Sequence, residues 1–141
     1  MMTLRVEVGE SLPVGRVPEG VLTLIPITGG TFEGPRLRGR VLPGGADWNT
    51  RISATASRVC ARYWLQTDDG AVICVHNEGL LDAADDPDGF RTTPRFLCAL
   101  DGPYAFLAEG RFTGTLRALE DGAVEIGVWR LAQAGAVSRS C

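Results

Sequence analysis

Thr28 to Trp48 reads TGGTFEGPRLRGRVLPGGADW, six glycines and two prolines set around a short apolar alternation. Turn residues at this density are foreign to helices. They fit strands that bend sharply and lie close to a ligand or a neighbouring backbone. Outward from this stretch, short apolar or alternating runs recur, each bounded by Gly, Pro or Asp. They predict strands near residues 2–8, 20–27, 31–42, 59–67, 71–77, 90–98, 104–114 and 123–131. Such spacing is the pattern of an all-β sandwich or barrel. No window sustains a helical period, although residues 51–58 have room for one or two turns. Residues 1–131 are expected to form one domain, and residues 132–141, which lose all periodicity, a flexible C-terminal tail.

Composition narrows the function classes. A chain of 141 residues buries about two-thirds of its unfolded surface without staples. Cys60, Cys74, Cys98 and Cys141 are widely scattered with no CxxC pair, so reduced thiols are expected and neither a disulfide framework nor a metal site. All 14 basic residues are arginine. Without lysine there is no Schiff-base nucleophile and no phosphate-loop lysine. A net charge of −3 speaks against a nucleic-acid partner, whose footprint is basic. The opening MMTLRVEV carries Arg5 and Glu7, unlike a signal peptide, and no apolar run approaches the roughly 20 residues of a membrane span. The expectation is a cytoplasmic protein with no membrane partner.

The turn at Asp69-Gly70 sets the faces of the hairpin around it. A two-residue turn places Tyr63 opposite His76 and Leu65 opposite Cys74. A four-residue loop keeps the same residues on each face, whereas a three-residue bulged loop breaks the assignment. On the first reading, Val59, Ala61, Tyr63, Leu65, Val72, Cys74 and His76 share the less charged face, suited to an interior. Cys60, Arg62, Trp64, Gln66, Ile73, Val75 and Asn77 share the other. Alternation also aligns Arg36, Arg38 and Arg40 on one strand face, which belongs in solvent. Phe96 and Phe106 lie on the more apolar sides of their segments and are expected to wall a pocket.

The run ITGGTFEGPRLRGRVLPGGADW (Ile27 to Trp48) resembles domain-of-unknown-function family 3237. Supporting matches are Ala61-Arg62-Tyr63 with Thr67-Asp68-Asp69-Gly70, Asn77-Glu78-Gly79, Phe90-Arg91-Thr92 with Pro94 and Phe96, and Tyr104 with Leu107. The resemblance spans roughly residues 19–131. It implies a single antiparallel calycin-like β-barrel of about eight strands, often oligomeric, with no established common reaction. Glu33, Asp47, Trp48, Tyr63 and Phe96 match positions typical of the family. Departures stand at Phe106 and Ala108, where the family usually has tryptophan and asparagine. Cys60 stands where aspartate is common, and Cys74 and His76 replace a usual tyrosine and arginine.

Candidate chemistry gathers around few groups. His76, the sole histidine, is a proton-transfer group near neutral pH, and Tyr63 is a partner for it; a packing pair is the competing reading. Asp47, beside Trp48 after a Gly-Gly turn, is a carboxylate whose pKa a neighbouring indole would raise; a turn-capping aspartate is the alternative. Glu33 offers a second carboxylate or a rim salt bridge. Cys74 and Cys98 fit small apolar packing better than nucleophilic work. The acidic stretch Asp82, Asp85, Asp86, Asp88 lacks the order of a calcium loop, and no GxSxG, HExxH or Rossmann fingerprint is present.

These readings converge on a cofactor-independent lyase, isomerase or cyclase acting on a small, largely apolar substrate, aromatic or polyketide-like, in the barrel lumen. Asp47, Tyr63 and His76 are the expected catalytic groups, and Glu33, Trp48, Cys74, Phe96 and Phe106 the expected substrate contacts. A non-catalytic small-molecule carrier barrel is the alternative. A homodimer is expected, because outer apolar residues such as Trp64 and Val75 need cover.

Overall fold

The computed structural model describes residues 1–84 and 90–132. Along the chain run β1 (Met2–Val8), β2 (Leu12–Val17), β3 (Gly20–Glu33), β4 (Arg38–Val41), β5 (Ala46–Arg51), β6 (Ala56–Thr67), β7 (Val72–Asp82) and β8 (Phe90–Leu97). A short helix α1 (Ala105–Glu109) and strands β9 (Phe112–Ala118) and β10 (Val124–Arg130) complete it. Every pairing is antiparallel, and the hydrogen-bonded order is β1-β10-β9-β8-β7-β6-β4-β3, with β3 pairing back to β1. That return closes an eight-strand barrel, leaving β2 as an edge strand beyond β3. The expected all-β barrel is the observed fold. The expected tail beyond residue 132, the aspartates at 85, 86 and 88, and Cys141 lie outside the described residues.

Two strands had no apolar signature. β5 reads ADWNTR, yet it pairs with β3 on one side and β6 on the other. Its backbone groups are satisfied from both flanks, which overrides weak side-chain patterning. β2 reads LPVGRV, pairs only with β3 and carries a bulge between Pro13 and Gly15. Proline and an irregular register are normal on an edge strand. The expected continuous strand 31–42 is instead a hairpin, with Glu33 opposite Arg38 across Gly34–Leu37. Arg36, Arg38 and Arg40 are all exposed, as their alternation required.

The segment expected as a strand over 104–114 divides. Ala105–Glu109 is helical, and the strand begins at Phe112. Ala, Leu and Glu favour the helix, but five residues are too few to display a 3.6-residue period. The helix buries Leu107 in the core. Phe106 is therefore not a strand-borne pocket wall. It is half-buried on α1, with the Arg36 guanidinium stacked 3.8 Å from its ring centre.

The largest correction concerns β7. Tyr63 pairs with Val75, Leu65 with Ile73, and His76 with Arg62. The turn closes with the Thr67 amide donating to the Ala71 carbonyl and the Gly70 amide to the Thr67 carbonyl. Three residues, Asp68-Asp69-Gly70, form the loop, and Gly70 sits at φ +97°, where a side chain is disfavoured. This bulged loop shifts the register by one, so β7 presents the opposite face from the one expected. Ile73, Val75 and Asn77 point inward and are buried, while Cys74 and His76 lie on the outer wall. The β6 assignment survives, with Val59, Tyr63 and Leu65 buried.

Leu65 and Ile73, both 0% exposed, face each other at the centre of this ribbon. With Leu4, Phe32, Val75, Phe96, Phe112 and Val128 they form one apolar core. Phe96 and Phe112 meet edge to face at 5.2 Å between ring centres. Burying each such side chain contributes about 1.5–3 kcal/mol.

Candidate functional site

Inside the barrel, a band of polar side chains interrupts the apolar wall on the side of Leu65 away from the buried Thr67. The register aligns Asp47 with Ile25 and Ala61, Ala61 with Asn77, and Asn77 with Pro94. One step along, Asn49 opposes Thr23 and Val59, Val59 opposes Gly79, and Thr92 opposes Gly114. Asp47, Asn49, Tyr63, Asn77 and Thr92 are thus brought to the inner wall of β5–β8, above the Leu65–Ile73 level of the core.

Each carries chemical capacity. Asn77 and Thr92 are almost wholly buried, yet among the described residues Asn77 Oδ1 and Thr92 Oγ1 have no hydrogen-bond partner. Buried polar atoms normally find partners in protein or ordered water, so this band has capacity for further donors. Thr92 packs closely on two glycines: a Cβ on Gly114 would meet Thr92 Oγ1 at 2.6 Å, and one on Gly79 would meet Thr92 Cγ2 at 3.0 Å. Asp47 is half-buried, and its Oδ1 accepts from the Cys60 amide at 3.0 Å. Burial raises its pKa above the ordinary carboxylate value, against the lowering effect of the Cys60 amide and the Asn49 side chain. Burial also raises the pKa of the Tyr63 phenol, and the nearby Asp47 charge adds to this. Tyr63 therefore stays a neutral donor at physiological pH.

Beyond this band the inner wall continues into an open cavity of about 460 Å³. Val21, Thr23, Ile25, Asn49, Arg51 and Ser57 line it. Ile25 and Asn49 connect it to Asp47, being the cross-strand partner and the side-chain neighbour of that carboxylate. The lining is more polar than the apolar pocket the sequence led us to expect.

The other sequence-predicted residues go elsewhere. Phe96 is buried inside. Glu33 is exposed at the end of β3, Trp48 is 43% exposed on the outer wall opposite Cys60, and Cys74 is exposed opposite Trp64. His76 lies half-buried outside, its Nε2 3.5 Å from Cys60 Sγ and 3.3 Å from Glu78 Oε1. Tyr63 and His76 are on opposite faces of the sheet and cannot share a proton in the lumen. Asn77 and Asn49 were missed. Asn77 follows Ile73 and Val75 in the buried alternation, a signal visible only with the correct face assignment.

Comparison with known proteins is consistent with this geometry. Residues 1–131 match the family described as protein of unknown function (DUF3237). A UPF0311 protein of Rhodopseudomonas palustris (strain TIE-1) is 34% identical over 110 residues, covering 68% of this chain and 72% of its own. The crystal structure of a β-barrel-like protein from Acinetobacter baumannii AYE superposes with a TM-score of 0.82 at 29% identity, covering 94% of this chain and 93% of that one. An enzyme from Penicillium herquei superposes with a TM-score of 0.69 at 23% identity, covering 92% and 91% respectively. That last likeness is one of fold alone.

Proposed function

We propose, from the premise that this chain belongs to the DUF3237 family of barrel proteins, that it is a cofactor-independent lyase, isomerase or cyclase. Its substrate is a small, largely apolar molecule, aromatic or polyketide-like, entering through the cavity beside Asn49 and Arg51. The observation that carries the reading is the band of unspent polar groups in an apolar barrel: Asn77 Oδ1 and Thr92 Oγ1, without partners among the described residues, on the same inner wall as Asp47 and Tyr63. Desolvation makes Asp47 a stronger base than an exposed carboxylate. Tyr63, held neutral, is the donor to an oxyanion developing on the substrate. Asn77 and Thr92 accept from substrate hydroxyls and fix its orientation. His76 has no part in this step, because it is on the outer wall. An apolar enclosure also favours ring closure by holding reacting ends together.

The Penicillium herquei barrel is called an enzyme, which supports catalysis as the reading for this fold without naming a reaction. A carrier without chemistry is the second reading, favoured by the polar, open mouth. Incubation with a panel of phenols and polyketide-type enols, with products read by mass spectrometry, separates the two. Catalysis predicts saturating conversion that falls about 10²-fold or more in Asp47→Asn and in Tyr63→Phe while the fold is retained. Binding of panel members without any product overturns catalysis. A homodimer completes the proposal, since Trp64, Cys74 and Leu97 form an exposed row across β6, β7 and β8. Val75, expected to share that role, faces the core instead. Light scattering that reports a monomer removes the dimer from the reading.

A further inference from the structure

We propose that Cys60, His76 and Glu78 form a site for a divalent transition metal of the zinc class on the outer wall of the barrel, separate from the lumen. Cys60 on β6 stands directly opposite Glu78 on β7, and His76 lies two residues from Glu78 on the same face. The thiol, ring nitrogen and carboxylate oxygen all lie within 4.8 Å of one another.

Two features distinguish this cluster from a hydrogen-bonded relay. A nucleophile–base–orienter arrangement uses both ring nitrogens, one for the thiol and one for the carboxylate. Here both groups approach the same Nε2, at 3.5 Å and 3.3 Å, so one ring nitrogen faces the thiol and the carboxylate together. Tetrahedral zinc, with bonds of about 2.3 Å to sulfur and about 2.0–2.1 Å to nitrogen and oxygen, separates such donors by about 3.5 Å and about 3.3 Å. Two of the three separations match those around a bound ion, and the thiol-to-carboxylate distance is within 4.8 Å.

Donor chemistry selects the metal. Thiolate and imidazole favour zinc, cobalt or nickel over magnesium or calcium, which take oxygen. Thiolate and carboxylate together balance a divalent charge. Arg62 and Arg95 flank His76 on the neighbouring strands and oppose a bare cation, so affinity depends on forming the thiolate. The His76 and Glu78 side chains are 31% and 45% exposed, which leaves a fourth position for water.

Cobalt(II) alone, added to purified chelator-treated protein, tests the site. The expected result is one equivalent bound, with a thiolate-to-cobalt charge-transfer band and the visible bands of a tetrahedral centre, all displaced by zinc. Cys60→Ser should abolish the charge-transfer band, and His76→Ala or Glu78→Gln should weaken binding about tenfold or more. Cys74→Ser should leave the spectrum unchanged. Absence of the band in the unsubstituted protein, or a band that survives Cys60→Ser, overturns the proposal. Circular dichroism checks that each variant is folded, and Glu78→Gln, an exposed isosteric change, keeps the test decisive if Cys60→Ser is not.

Discussion

The two faces of the β6–β7 ribbon are built from alternate residues of the same strands but do different work. The inner face pairs Leu65 with Ile73 and Tyr63 with Val75, a nearly dry surface interrupted by Asn77. The outer face pairs Cys60 with Glu78, Arg62 with His76 and Trp64 with Cys74, a surface of charges, sulfur and indole. Because strand side chains alternate, one register decides both faces together. Moving β7 by one residue would bring His76 to Tyr63 and dissolve the Cys60–His76–Glu78 cluster. The three-residue loop at Asp68–Gly70 is therefore the element on which the lumen and the outer wall both depend.

The sharpest way to break this comparison is to place a charge on each face in turn. Ile73→Asp should destabilise by about 3–5 kcal/mol, since an unpaired carboxylate would sit in the core. Val72→Asp, next in sequence but exposed, should stay within about 0.5 kcal/mol. Denaturant melts of the pair read the difference, and equal effects would refute the register. Gly70→Ala should cost about 1 kcal/mol by conformational strain alone, as nothing lies within 4 Å of the added Cβ.

Asp47 gives a smaller effect with a definite sign. Its pKa is raised in the folded state, so the folded protein holds that proton more tightly than the unfolded chain. Stability from this group is complete below its ordinary value of 3.8 and declines as pH rises through the raised folded value. Asp47→Asn should remove that decline, making the variant relatively more stable at neutral pH, with the advantage vanishing in acid. Melting curves across pH measure it. The smallest effect belongs to Asn77→Leu, expected within about 1 kcal/mol because it removes an acceptor that has no partner. The same variant should lose ligand affinity if the lumen binds as proposed.

Much of the barrel was legible in sequence because turn residues and period-2 alternation are local signals. Thr28–Trp48 announced strands and tight turns, and the arginine alternation at 36, 38 and 40 marked solvent. The β6 face from Val59 to Leu65 was also readable from its own pattern. Less legible were β5 and α1. ADWNTR becomes a strand through partners on both flanks, and Ala105–Glu109 is too brief to show a helical period. Of the candidate site, Asp47 and Tyr63 were readable as an acid and a phenol, while Phe96, expected as a pocket wall, is a core residue packed on Phe112. His76 and Cys74 were misplaced together, because one ambiguous turn carried both.

Sequence alone determined that this chain is built of β-strands without lysine chemistry, since composition and alternation are properties of each segment by itself; closure into a barrel was implied only by the family resemblance and is made by the β1–β3 pairing. Only the tertiary structure decided which polar groups meet. Whether Asn77 or His76 enters the lumen depends on one residue of loop length in the turn, which closes on three residues between Thr67 and Ala71. The choice falls to the burial of Ile73 and Val75 against Leu65, Tyr63 and Phe96, a packing energy that no local signal contains.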